Sequence, residues 1–412
     1  NWWTRFFRNQ TLSVSTRSAP LPRSSSGSTP SMPHAPTDAL KLRHDTLRLD
    51  LGSRSLDALV VTALPNVFYL TNFTGSAAIA VLTRDRIFFL TDFRYVTAID
   101  EMRDTPHVCP DIELVTVDGA YDATLAKLLS SSAMERVGFE AAHLTVSRHN
   151  WIAAAVARAN PASELIATEG LVERARVRKD VFEIATLREG ARRLSEVAVG
   201  VFDEVRAGRT ELEIAAAIDR RLRESGFAKP AFDTIVAAGP NAALPHAHPG
   251  QRRLAEGDLV VLDFGGVYDS YCVDLTRTVT VGSASARARE VYAAVLEAHD
   301  RAIAAVKPGA SRFDVDAAAR ETLAAHALGE AFGHGTGHGL GIEVHEEPRI
   351  SRRRAGIDDH VSDEAIDPGM VFTIEPGAYL PGWGGVRIED DVLVTEDGVD
   401  VLTNVRSDLL EL

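Results

Sequence analysis

The sequence predicts an α/β amino-terminal domain followed by an α+β domain that contains an internal duplication. Three features carry that prediction. Across residues 42–165 short apolar runs alternate with helical patterns. Two words that read as the end of one helix and the start of the next recur at 205–217 and 306–318. Beyond residue 258, apolar runs with strand character carry isolated acids. A chain of 412 residues with 45% hydrophobic content can fill two such cores and leave a tail.

The first 37 residues contain Arg5, Arg8, Arg17 and Arg23 but no acid, and Ser, Thr and Pro crowd 13–36, so residues 1–38 are expected to be a disordered tail. The lack of acids is a transit-peptide trait, yet neither an amphipathic helix nor a signal-peptide apolar core accompanies it. Upstream sequence, with Met32 as the start, is the favoured reading. The first domain is expected over 39–165, with strands at 56–61, 77–82 and 87–90 and helices at 93–102 and 121–129. Pro161 and a scarcity of large apolar residues make 160–169 a link. The second domain is expected over 171–412.

In the repeated words, Gly208 and Gly309 suit the left-handed position after a helix. Thr210 with Glu213 forms a capping box that opens the next helix, and Ser311 with Asp314 a weaker version. The spacing is too long for a solenoid period, so two similar halves enclosing a cleft are expected; coincidence of two common capping signals is the alternative.

Composition excludes several functions. A net charge of −14 disfavours gripping a phosphate backbone, so no nucleic-acid partner is expected. Cys109 and Cys272 alone cannot build a disulfide framework or a thiolate cluster, which points to a reducing, cytoplasmic setting. No run approaches the roughly 18 apolar residues of a membrane span, so no membrane partner is expected.

The chemistry gathers in the second domain. Residues 259–266 read as a buried strand carrying Asp263, and 273–281 as its hairpin partner carrying Asp274. Two carboxylates about 4 Å apart repel by roughly 4 kcal/mol at an effective dielectric of 20, so a positive charge is expected between them. These two acids alone leave a metal site and a solvated strand edge equally open. Residues 332–341 place His334 and His338 among five glycines, which disfavours a helix and suggests one ligand, His338, and one supporting residue. Residues 369–377 are a buried strand ending at Glu375, and 386–394 another carrying Glu389. Four converging buried acids cannot all neutralise cheaply, whereas four carboxylates and one imidazole match two divalent ions in charge. Oxygen-rich ligation favours manganese, with zinc, cobalt or iron as alternatives.

These five positions and their flanking words resemble the pita-bread metallopeptidases, which include methionine aminopeptidase, aminopeptidase P and prolidase. Residues 69–76 and 90–95 also resemble the creatinase/prolidase-type amino-terminal domain of the proline-directed members. The resemblance implies a pita-bread second domain in which Asp263 binds one ion, His338 and Glu375 the other, and Asp274 and Glu389 bridge both. It implies that Glu375 accepts a proton from an activated water. It further implies that His246 and His345 contact the scissile carbonyl and its developing charge, with His334 as a further substrate-side imidazole.

Arg387 stands two residues before Glu389, which on one strand gives both the same face. Proline-directed members carry arginine here, where methionine-specific members carry glutamine, so Arg387 implies peptide substrates with proline in the second position. The resemblance also implies a homodimer whose leading domain closes the carboxyl side of the substrate. The expected activity is that of an Xaa-Pro aminopeptidase, with the Xaa-Pro dipeptidase prolidase as the alternative. A methionine aminopeptidase and a metal-free scaffold are the rivals.

Overall fold

The computed structural model describes residues 34–353 and 365–412. Most of the expected tail therefore lies outside the described residues. Its end does not: helix α1 (Thr37–Ser53) begins earlier than the apolar periodicity suggests, and buries Leu40, Leu47 and Leu51 beside the polar Arg43 and His44. After it come β1 (Ala58–Val61), α2 (Leu64–Thr71), β2 (Ile79–Thr83), β3 (Ile87–Asp92), α3 (Phe93–Met102), β4 (Ile112–Val117), α4 (Tyr121–Ser131), β5 (Arg136–Glu140), α5 (Val146–Ala159) and β6 (Glu164–Thr168). The six strands make one mixed sheet in the order β4-β3-β2-β1-β5-β6. The continuous apolar runs of β1 and β2 are buried along their whole length because helices cover the central strands on both faces. The stretch 160–169 differs from expectation: it contains β6, which pairs parallel with β5 as the sheet's edge strand. An edge strand buries less side chain, and in β6 only Thr168 is buried, Leu165 and Ile166 being half-buried.

Helix α6 (Leu171–Val177) leads into α7 (Val181–Phe202), which opens on a capping box between Asp180 and Glu183. Then come α8 (Glu211–Glu224), β7 (Lys229–Pro230), β8 (Ile235–Ala238), β9 (Leu259–Tyr268) and β10 (Tyr271–Thr280). Gly208 lies at φ 87° between the two helices, and the expected box of Thr210 with Glu213 is formed. The second half repeats the plan with α9 (Ala286–Ala305) and α10 (Arg312–Ala325), separated by Gly309 at φ 81°. Here Ser311 caps α10, its hydroxyl accepting from the Phe313 amide at 3.2 Å. The remaining strands are β11 (Gly337–Gly339), β12 (Glu346–Ile350), β13 (Val371–Ile374), β14 (Gly377–Leu380), β15 (Gly384–Arg387), β16 (Asp390–Val394), β17 (Val399–Val401) and β18 (Leu410–Glu411).

Helices α7 and α8 pack on β9 and β10 around Leu194, Ile218, Leu262 and Val273, whereas α9 and α10 pack on β13 to β16 around Val295, Val315, Phe372 and Val392. Each half is thus a helix pair against antiparallel strands, the pita-bread plan with its two similar halves. The cleft lies where their strands meet.

Candidate metal centre

The hairpin of β9 and β10 turns through two residues, Asp269 and Ser270, both at positive φ, the geometry a tight two-residue connection demands. That turn fixes the register. Asp263 lies opposite Thr276 and Asp274 opposite Gly265, so the two aspartates are diagonal neighbours on one face. Thr276 also reaches the other half: its hydroxyl donates to Glu389 Oε2 at 2.6 Å, and its carbonyl accepts the Glu389 amide at 3.1 Å. His338 sits at the centre of β11, between β12 and β13. Its flanking glycines are required there, since a Cβ on Gly337 would fall 1.8 Å from the Thr373 carbonyl oxygen and one on Gly339 2.2 Å from that of Glu347. The Thr373 hydroxyl accepts the His338 amide and donates to Glu375 Oε1, both at 3.1 Å. Ligand atoms of Asp274, His338 and Glu389 all lie within 4.8 Å of one another, and His338 Nε2 is 3.4 Å from Glu375 Oε1.

The electrostatics fit a cation cage. Burial, followed by the charges of Asp263, Asp391 and Glu375, holds the Asp274 carboxyl well above its ordinary range. Burial and then Asp274, Glu375 and Asp263 do the same to Glu389, and burial raises Glu375. Glu389 Oε1 is buried with no hydrogen-bond partner, an expensive state for a carboxylate unless a cation meets it. Burial pushes the His338 imidazole down to about 4, so the ring is neutral near pH 7. Its Nδ1–H donates to the Gly339 carbonyl at 3.1 Å, which leaves the Nε2 lone pair facing the acids. Four carboxylates and a neutral nitrogen of this kind suit hard to borderline divalent ions.

Behind the acids runs a polar relay. The Arg387 guanidinium pairs with Asp263 and donates to Tyr379 Oη at 2.8 Å, and Tyr379 in turn contacts His334 Nε2 at 2.9 Å. His334 Nδ1 faces the Gly335 carbonyl at 2.8 Å and must carry the proton there, so the Tyr379 hydroxyl donates to Nε2. His345 projects over His338 with ring centroids 4.4 Å apart, and burial lowers its pKa to about 4. A cleft of about 1220 Å³ is lined by Asp263, Asp274, His338, Glu375 and Glu389 together with His246, His334, His345 and Arg387.

One local expectation changes. Residues 386–394 are not a single strand: β15 ends at Arg387 in a two-stranded sheet with β14, and β16 begins at Asp390 in the five-stranded sheet. Glu389 occupies the crossing, where its bridge to Thr276 replaces ladder pairing. Both side chains still line the cleft. Sequence reasoning missed Tyr379, Thr276, Thr373 and Asp391, whose carboxylate accepts the Asp274 amide at 3.0 Å. For Asp391 a signal existed, an acid within an apolar strand. The hydroxyls carry none, being ordinary strand residues.

Residues 185–396 match the model of metallopeptidase family M24, and residues 43–178 that of the creatinase/prolidase N-terminal domain. An Xaa-Pro dipeptidase of Pyrococcus furiosus is 34% identical over 373 residues, covering 90% of this chain and 100% of that protein. Among solved structures, an Xaa-Pro dipeptidase from Bacillus anthracis superposes with a TM-score of 0.83 at 35% identity, covering 90% of this chain and all of the other. An X-Pro aminopeptidase from Thermotoga maritima does so at 0.78 and 33%, covering 87% and 98%.

Proposed function

The chain belongs to metallopeptidase family M24 and is a hydrolase, and from that premise we propose that it cleaves the peptide bond between an amino-terminal residue and a following proline. In this reading Asp263, Asp274, His338, Glu375 and Glu389 hold two divalent ions, with manganese the first choice and zinc, cobalt or iron the others. The carrying observation is that buried acids from both halves converge on one neutral imidazole nitrogen, with Glu389 Oε1 left unpartnered. Ions held in that cage would supply Lewis acidity, lowering the pKa of a bound water and offsetting negative charge on the attacked carbonyl.

The chain's own groups do the rest. Glu375, beside His338 and held by the Thr373 hydroxyl, accepts the proton of the attacking water. His246 and His345 on the cleft wall contact the scissile carbonyl and donate to its developing charge. Arg387, fixed by Asp263 and Tyr379, gives the cleft a rigid cationic wall against which a proline-containing substrate is oriented, and His334 steadies Tyr379 from behind.

A second reading, restriction to dipeptides, is favoured by the dipeptidase names of two relatives and by Arg349 and Arg352 on the cleft wall, which offer charge for a terminal carboxylate. The proposal extends to a homodimer, and to a reducing, cytoplasmic setting that the two buried free thiols Cys109 and Cys272 support. Among the described residues no helix is long and apolar enough to cross a membrane. The deciding experiment compares Gly-Pro, Arg-Pro-Pro and Met-Ala-Ser as substrates of manganese-loaded enzyme. Cleavage of Arg-Pro-Pro is expected; turnover of Gly-Pro alone establishes the dipeptidase reading, and a preference for Met-Ala-Ser removes both.

A further inference from the structure

His345 is carried by the short connection from β11 to β12, which starts on buried Leu340 but is exposed at Glu343 and at His345 itself. Backbone bonds within the second domain hold its start, the Cys272 amide donating to the Gly341 carbonyl at 2.6 Å, and a buried cation on α6 holds the part around His345. Arg176 on α6 is 2% exposed, and its guanidinium forks in two directions. One arm donates to Glu343 Oε2 at 2.8 Å and also to Glu346 Oε1, the two acids that bracket His345. The other donates to Asn66 Oδ1 at 2.7 Å. Glu346 is tied further by Lys179 Nζ at 3.2 Å and by the Glu343 amide at 2.9 Å. Asn66, fully buried on α2, passes the connection on by donating to Glu140 Oε1 at 2.6 Å, at the end of β5. Glu140 itself accepts the Thr62 and Ala63 amides that begin α2.

A continuous set of charge-assisted hydrogen bonds therefore runs from the amino-terminal sheet to the turn bearing His345. Such bonds are short and directional, and a buried guanidinium with three side-chain acceptors sets their relative positions as a single rigid fork. We propose that Arg176 is a positioning residue for His345, fixing the height of that imidazole over the cleft by tying its turn to the amino-terminal sheet. This rests on the reading of His345 as a contact of the reacting carbonyl. Lysine at position 176 keeps the charge but cannot serve Asn66, Glu343 and Glu346 together. Arg176 touches none of the five acid and imidazole groups of the cage, so its loss leaves metal binding in place.

The test is a double-mutant cycle on the manganese-loaded full chain, reading kcat, KM and manganese affinity for His345→Ala, Arg176→Lys, Glu343→Gln and their pairs with His345→Ala. Glu343 is half exposed, so Glu343→Gln removes one link of the fork without burying an unpaired charge. Expected are a fall in kcat of about tenfold for Arg176→Lys, a smaller one for Glu343→Gln, unchanged manganese affinity, and disappearance of both effects in the His345→Ala background. Effects that multiply with His345→Ala, or an Arg176→Lys enzyme with full turnover, overturn the positioning role while leaving the site reading intact. Full turnover by His345→Ala itself overturns that reading, and the positioning role with it.

Discussion

Asp274 faces Asp263 diagonally across the hairpin, approaches His338 and Glu389, and has its own amide fixed by Asp391. On the proposed function its carboxylate would serve two ions at once. Asp274→Ala is therefore expected to lower kcat by about a thousandfold or more and to reduce the affinity for both ions, measured by metal analysis after dialysis at graded manganese concentrations. Arg387 makes the opposite separation. Its guanidinium binds Asp263 and Tyr379 but leaves the ligand atoms of Asp274, His338 and Glu389 untouched. Arg387→Gln cannot form the same fork, so the enzyme should keep its metal while its preference for proline over alanine in the second position falls by about tenfold, read as a ratio of kcat/KM values. A variant that lost metal and kept proline preference would reverse these assignments.

Among the elements, β11 is tightly constrained, because it threads between β12 and β13 with glycine on either side of His338. Gly337→Ala places a methyl against the Thr373 carbonyl, and backbone cannot yield as a side chain can. A loss of about 3 kcal/mol of stability in urea titrations, together with weakened manganese binding, is expected. The glycine word around His338 was legible in the sequence for this reason, as were the hairpin of Asp263 and Asp274 and the helix boundaries at Gly208 and Gly309, where local chemistry dictates local geometry. Elements fixed by distant partners were not. Helix α1 buries Arg43 and His44 within its apolar stripe, because Arg43 reaches Asp180 at 2.7 Å, and that blurs the periodicity. Strand β6 offers only the three-residue apolar run Leu165 to Ala167, too short to stand out from a link. The break after Arg387 depends on Thr276, more than a hundred positions earlier in the chain. Asp391 could have been found by the reasoning applied to Glu389, since an acid inside an apolar strand needs a partner wherever it occurs.

For the molecule as a whole, acid tolerance is set in part far from the cleft. His44 is buried in α1 with its Nε2–H donated to the Leu70 carbonyl at 2.7 Å, and burial pushes its pKa down to about 4 from an ordinary 6.5. Between those values the unfolded chain holds a proton that the folded chain does not. Stability from this group is therefore complete above about pH 6.5 and is lost as the pH falls toward 4, by about 2 kcal/mol at pH 5. His44→Gln, which cannot titrate, should show a correspondingly smaller loss between pH 7 and pH 5 in urea titrations; equal losses would place the acid sensitivity elsewhere. The division of the catalytic domain into halves has a different consequence. Asp263 and Asp274 belong to one half, His338, Glu375 and Glu389 to the other, so any cation lodged among them rivets a seam that like charges would otherwise push open. Chelation should thus loosen the whole catalytic body, with the melting temperature climbing logarithmically as manganese is returned and amide exchange slowing first along β10 and β16, the two edges of that seam.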